Sequence, residues 1–437
     1  METTDNSTGA VESSGSDMPA KAAVSGRLEI DFSVYNPFDM AFIENPFPVL
    51  ERMLDEFPVA FHKDINAWFV SPHELAAEVL RSPRFSTRLA DWKDAPPPPP
   101  ADKWTLWDRL QEISMINVGP EQHMRLRRLT APAFSRRVMG QIEASVREAV
   151  VEIFDEIEDP RQFNVAAEIS VKVPIRAIAR MVGVPPAARE LFEHGLGWNL
   201  VRVTNPMYAA DRDTYVNGTL PGLQYLLDTI SARRQAGDPG EDFIGTLVAT
   251  EIDGERLSDL EILSVISALV TAGADTAVDL HTLAIQALLE YPDQRALLRQ
   301  RPELMEGAIL EILRCSARGK FGAIPRYPLQ DTELGGQVLE KGSFVMPFFS
   351  AAALDPAKWP EPYRFDITRN HSGNIIFGAG PHMCIGLNLV KAQGKITIEE
   401  FERRFGDTAE LAGGVEYDPM HFNTRRITTL MVRTGAS

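Results

Sequence analysis

Cysteine is almost absent: the 437 residues hold two, Cys315 and Cys384. Two thiols cannot build a disulfide framework, and no Cys-x-x-Cys pair offers a zinc site. Such usage suits a reducing, intracellular setting. No uninterrupted apolar run reaches 18 residues, so the reading is of a protein without a membrane span. Residues 1–26 are rich in Ser, Thr, Gly and Ala and carry no apolar stretch, which excludes a signal peptide or anchor there and predicts a disordered polar tail. Positive charge is also scarce. Lys and Arg number 44 against 61 Asp and Glu, a net charge of −17, which argues against nucleic acid and against an anionic membrane surface as partners.

Linkers and internal repeats are missing too. With 44% apolar residues and no break after residue 30, residues 27–437 are expected to form a single domain. Strand signals are few. Short alternating or β-branched runs at 57–62 and 66–70, then at 343–349 and 426–433, predict a small sheet region at each end of the chain. Apolar residues recur at three- and four-residue spacing over 137–157, 186–200, 219–235, 257–290, 303–315 and 386–405, which predicts a mainly α fold with small β-sheet regions. Five prolines, Pro96 to Pro100, make a stiff extended stretch between helices. In the longest helical pattern, 257–290, Ser258 and Glu261 have capping-box spacing and Pro292 limits the far end. At 1.5 Å per residue that helix is about 50 Å long, and an apolar helix of that length must run through the core.

The most informative stretch is Phe377-Gly378-Ala379-Gly380-Pro381-His382-Met383-Cys384-Ile385-Gly386, followed at once by the helical pattern from Leu387. The thiol lies where a glycine-rich loop opens into a helix. Backbone N–H groups and the helix dipole there favour a negative sulfur, and a thiolate held in this way suits haem iron. A dinucleotide-binding reading of the glycines fails, because the third glycine and the ribose-binding acid are not in place. The spacing Phe-x-x-Gly-x-His-x-Cys-x-Gly resembles the haem-binding loop of the cytochrome P450 family, and all five marked positions match: Phe377, Gly380, His382, Cys384 and Gly386.

The resemblance extends over roughly residues 30–437 and implies a cytochrome P450-like fold, with haem b (iron protoporphyrin IX) between the long central helix and the Cys-loop helix. Cys384 is then the iron ligand. Ala272-Gly273-Ala274-Asp275-Thr276-Ala277 resembles the family's oxygen-binding groove, which implies that Asp275 and Thr276 are the catalytic acid–alcohol pair supplying protons. Where the family often has a second hydroxyl residue, this chain has Ala277. Small residues would let a flat ligand approach the helix, and Thr276 can bond back to the carbonyl of Ala272 and bend it. His123 and Arg127, four apart on one helix face, together with Arg326 and His382, match the cations that hold the haem propionates. Glu311 and Arg314, three apart, resemble the family's Glu-x-x-Arg, and Arg364 in the later loop Trp359–Asp366 is expected as the third member of that buried network.

The pocket is expected to draw on the proline-broken segment with Trp92, Trp104 and Trp107, on 194–212 with Trp198 and Arg202, and on Phe321, Ala323 and Ile324, with Ala272 on the central helix. These mostly apolar side chains, which core packing would equally explain, favour a lipophilic substrate such as a steroid, terpenoid, fatty acid or polyketide. The implied reaction is monooxygenation: one oxygen atom of dioxygen enters the substrate by hydroxylation or epoxidation. No flavin or iron–sulfur module is visible, so electrons are expected from a ferredoxin and ferredoxin reductase. A basic patch of Arg125, Arg128, Arg136, Arg137, Lys391 and Lys395 offers an acidic carrier a docking face. A bacterial, cytoplasmic enzyme is the expected setting. A peroxide-driven haem peroxygenase and a non-enzymatic haem-thiolate sensor are the alternatives; the acid–alcohol pair opposes the first, and the lack of an appended signalling module opposes the second.

Overall fold

The computed structural model describes residues 26–321 and 324–435. The predicted tail therefore lies outside the described residues except for Gly26, as does Ala323. The axis of the fold is the helix Asp259–Glu290. Its start is a closed capping box: the Ser258 hydroxyl accepts from the Glu261 N–H at 3.2 Å, and the Glu261 carboxylate accepts from the Ser258 N–H at 2.8 Å. It stops at Glu290, and Pro292 opens the next helix, where its missing N–H is harmless. Helices Val173–Val182, Arg212–Ala236, Met305–Cys315 and Leu387–Phe405 pack around this axis.

By length and apolar composition alone this helix could cross a membrane. It is instead a core helix, with Ile262, Ile266, Val270, Val278 and Ile285 buried and with Asp275, Asp279 and His281 partnered by other parts of the chain. Gly273 serves packing rather than ligand approach: a Cβ there would lie 2.8 Å from Ile178 Cδ1 on the neighbouring helix.

The helices predicted at 137–157, 219–235, 303–315 and 386–405 are present as Arg136–Asp155, Arg212–Ala236, Met305–Cys315 and Leu387–Phe405. The stretch at 186–200 is irregular, with π-type winding over Leu191–Gly197 leading into Trp198–Val203. The strand runs are also present, but the two ends of the chain are not separate. Glu29–Ile30, Val59–His62, Ala67–Val70 and Val345–Pro347 form one sheet in that order, with the last pair parallel. A second sheet joins Glu410–Asp418, Arg426–Arg433 and Gln162–Asn164. Its hairpin brings the end of the chain onto the middle of the central helix.

Candidate active site

The Cys loop is built by backbone geometry. Gly378 and Gly380 have φ of +77° and +69°, a region that favours glycine. A Cβ on Gly380 would also meet the Leu80 carbonyl oxygen at 3.0 Å. The Cys384 N–H donates to the Phe377 carbonyl at 2.8 Å and closes the loop, and Gly386 caps the helix Leu387–Phe405. Burial pushes the Cys384 thiol above its ordinary range, although the Gly386 N–H and Arg127 favour its charged form. The loop and the helix start favour a negative sulfur, as the sequence suggests, while desolvation opposes it. A coordinated metal ion deprotonates a thiol outright, so a ligand role does not require a low pKa beforehand.

Beside this loop lies a group of basic side chains without acids. His123 and Arg127 sit on the helix Pro120–Thr130. The His123 ring stacks on His382 at 4.0 Å and 9°, and Arg127 Nη2 donates to the Met383 carbonyl at 2.7 Å. Arg326, held by an antiparallel bridge to Val345, is 3% exposed, and its Nη1 meets only the carbonyls of Ile324 and Pro325, at 2.7 and 3.3 Å. No carboxylate among the described residues pairs with any of the four. Burial lowers Arg326 to about 10. Burial, and then the positive charge of His123, Arg326 and Arg127, pushes His382 down to about 3.

Buried cations normally carry anionic partners, and here that is true of Arg176, Arg295 and Arg404. A group with two carboxylates laid beside Cys384 would supply the missing anions. The residues present therefore fit haem.

On the central helix, Ala272 and Thr276 lie four apart on one face and are exposed, although the residues flanking them at 270, 274, 275 and 277 are buried. That face is left open in the middle of the fold. Thr276 Oγ1 donates to the Ala272 carbonyl at 2.6 Å. Asp275, next to it in sequence, points the other way. Its Oδ1 accepts from Arg426 Nη2 at 2.9 Å and lies 3.1 Å from His421 Nε2. Burial works to raise its pKa, but the His421 hydrogen bond and the Arg426 charge hold it well below the usual carboxylate range.

The acid and the alcohol are thus adjacent in sequence and face different surroundings. Of the proposed pocket residues, Trp107 is 3% exposed within the main core cluster, Trp198 is half-buried, and Ile324 is 36% exposed. Arg202 lies over the Tyr215 ring at 5.5 Å.

Glu311 and Arg314 are fully buried and joined by two 2.8 Å hydrogen bonds. Arg364 is not their partner. Its side chain is 61% exposed and bonds Glu361 at 3.2 Å. The third member is Arg369, whose Nε donates to Glu311 Oε1 at 3.0 Å. Its guanidinium is wrapped by the carbonyls of Pro360, Glu361 and Arg364. The loop curls back so that the later arginine enters the core, and His371 follows it to 3.6 Å from Glu311. Both arginines lie in the same short loop, and nothing local in the sequence marks which one points inward.

The predicted basic patch is largely neutralised within the chain. Arg125 pairs with Glu261, Arg128 with Asp253 and Glu255, Lys391 with Glu306 and Lys395 with Glu143. These cations hold helices and hairpins together and do not form an unpaired cationic face.

The family description Cytochrome P450 matches residues 222–408. The vitamin D(3) 25-hydroxylase of Pseudonocardia autotrophica is 31% identical over 386 residues, covering 88% of this chain and 91% of the relative. The epothilone C/D epoxidase of Sorangium cellulosum is 28% identical over 382 residues, 85% of this chain and 88% of the relative. The structure of epothilone B-bound cytochrome P450epoK superposes with a TM-score of 0.82 at 26% identity, over 92% of this chain and 100% of that one. With these similarities spanning both the Cys loop and the central helix, the chain belongs to the cytochrome P450 family and is a haem b-dependent monooxygenase that hydroxylates or epoxidises a lipophilic small molecule.

Proposed function

We propose that the Cys384 thiolate would ligate the haem iron, in a loop shaped by Phe377, Gly380 and Gly386. His123, Arg127, Arg326 and His382 would hold its propionates, and Thr276 with Asp275 would supply protons from the central helix. The observation that carries this reading is the cluster of four basic side chains without acidic partners beside the Cys loop. Haem b, when bound, supplies dioxygen activation and transfer of one oxygen atom to the substrate.

The chain's own part is positioning, exclusion of water and proton supply. Thr276 gives its hydroxyl hydrogen to the Ala272 carbonyl. Its oxygen is left as an acceptor that can hold a water hydrogen on the open face. Asp275, turned toward His421 and Arg426, would renew that proton through intervening water rather than by direct contact. The Glu311–Arg314–Arg369 network holds the helix before Arg326 and the loop before Phe377 in register. The substrate is a steroid, terpenoid, fatty acid or polyketide, and the relatives named for epothilone and vitamin D(3) favour the polyketide and steroid end of that range. Electrons come from a ferredoxin and its reductase, since the sequence holds no flavin or iron–sulfur motif, and the enzyme works in the cytoplasm.

Titrating the ferric protein with a panel of these compounds tests the reading. A Soret shift to the high-spin form is expected for the compounds that enter the open face beside Thr276. Folded protein that shows no Soret band after haem reconstitution would overturn it. Thr276→Ala is expected to go on oxidising nicotinamide while releasing hydrogen peroxide, with product per nicotinamide falling at least about tenfold. Unchanged coupling would remove Thr276 from proton supply.

A further inference from the structure

The central helix has 32 residues, and side chains from other segments reach its carbonyls at two neighbouring positions among the described residues. Arg426 Nη2 donates to the Asp275 carbonyl at 2.8 Å, and Arg318 Nη1 donates to the Thr276 carbonyl at 2.7 Å. Both guanidiniums are held by Asp279, one helical turn further on and 4% exposed. Its Oδ1 accepts from Arg426 Nε at 2.6 Å, and its Oδ2 accepts from Arg318 Nη1 at 2.9 Å. Arg426 Nη2 also bonds Asp275 Oδ1 at 2.9 Å, so two buried carboxylates are matched by two guanidiniums.

The two arginines come from segments tied to each other. Gly319 and Thr424 form an antiparallel bridge, and the Arg425 N–H donates to the Arg318 carbonyl at 2.7 Å. Lys320 Nζ fastens the same junction through the carbonyls of Pro419 and His421, at 2.8 Å each. Arg318 and Arg426 therefore approach the helix at a fixed spacing and meet adjacent carbonyls.

An ion pair with Asp279 would need only the carboxylate. Arg318 Nη1 uses one hydrogen for it and the other for the Thr276 carbonyl. A helix carbonyl that also serves an outside donor tilts away from the axis, a known cause of local bending. Thr276 is tied a second time through its hydroxyl, which donates to the Ala272 carbonyl at 2.6 Å. The residue that is exposed on the open face, between buried neighbours at 275 and 277, is thus fixed on both its hydroxyl and its carbonyl side.

We propose that Arg318, oriented by Asp279, is a positioning residue for the oxygenation reaction: by holding the Thr276 carbonyl it fixes the tilt of that peptide, and with it the direction in which the Thr276 hydroxyl oxygen faces the open side of the helix. No proton or electron passes through Arg318, because a guanidinium keeps its charge and acts here only through Thr276. The inference rests on the role proposed for Thr276.

Coupling measurements on the haem-loaded protein test it. Arg318→Met fills much of the same space without a donor, and Asp279 keeps Arg426 as its partner. Electrons are supplied by a ferredoxin and its reductase, and the substrate is the steroid or polyketide that gives the largest Soret shift. Product per nicotinamide is expected to fall about fivefold, with the balance released as hydrogen peroxide. Added to Thr276→Ala, the same change is expected to lower coupling no further, since the arginine acts through the threonine.

A purely structural ion pair would lower the thermal midpoint of Arg318→Met and leave its coupling at the wild-type value. That result, beside an uncoupled Thr276→Ala, overturns the positioning role. A further fivefold fall in the double variant overturns it as well, because Arg318 then acts apart from Thr276. Wild-type coupling in Thr276→Ala instead removes the role on which the inference stands. If Arg318→Met does not retain haem, Arg318→Gln, shorter and uncharged but with a polar group beside Asp279, is judged by the same outcomes.

Discussion

Arg369→Leu is expected to destabilise the protein by about 3 kcal/mol or more, whereas Arg364→Leu should cost about 1 kcal/mol or less. The two arginines share one loop and differ in what surrounds them. Arg369 meets a carboxylate with no exposure and gives three further hydrogen bonds to main-chain carbonyls. Its removal takes a donor from each of those carbonyls, leaves that of Pro360 with none from the described residues, and strips Glu311 of one of its two guanidiniums. Burial alone would raise the pKa of Glu311, but Arg314 and Arg369 keep it lowered, so the network is ionic and loses heavily when a cation is deleted. Arg364 holds a half-open pair with Glu361 that water can replace. Urea midpoints of the two variants, with haem retained after gel filtration as a second readout, check the order. If Arg364→Leu proves the more damaging, the loop does not fold as described.

Cys384→Ser should abolish oxygenation and the thiolate-type ferric spectrum while leaving the fold in place. Serine is close to cysteine in size, and the loop is held by the Cys384 N–H to the Phe377 carbonyl, which the substitution does not touch. The loss is therefore expected in the chemistry, because a thiolate ligand would set how electron density reaches the iron. Cys315 cannot take over. It lies against Glu311 and Arg314, and burial followed by the Glu311 charge pushes its thiol up to about 12. Product formation and the Soret spectrum, with circular dichroism to show that the protein is folded, provide the check. Wild-type turnover in Cys384→Ser would end the ligand assignment.

Much of the fold was legible because it depends on short-range chemistry. The capping box at Ser258 and Glu261, the stop before Pro292 and the glycine turns around Gly378 and Gly380 all follow from residues a few positions apart. Apolar spacing located the major helices for the same reason. The irregular winding at 191–197 was missed, since π-type turns keep nearly the same apolar spacing as an α-helix. The joining of the strands near 67–70 and 345–347 was missed because parallel pairing over such a separation leaves no local mark.

The candidate site divides in the same way. The sequence by itself determined the elements of the chemistry: one cysteine in a loop that opens into a helix, an acid beside an alcohol in the middle of a long apolar helix, and several cations suited to carboxylates. The first two are patterns within ten residues or fewer, which chain geometry carries into the fold almost unchanged. Tertiary structure alone decided which charges meet. It chose Arg369 over Arg364 as the partner of Glu311, paired Arg125, Arg128, Lys391 and Lys395 with acids elsewhere in the chain, and turned Asp275 toward His421 and Arg426. Each choice is set by desolvation, because a charge that becomes buried must find an opposite charge or a set of dipoles, and the partner within reach depends on how distant segments pack.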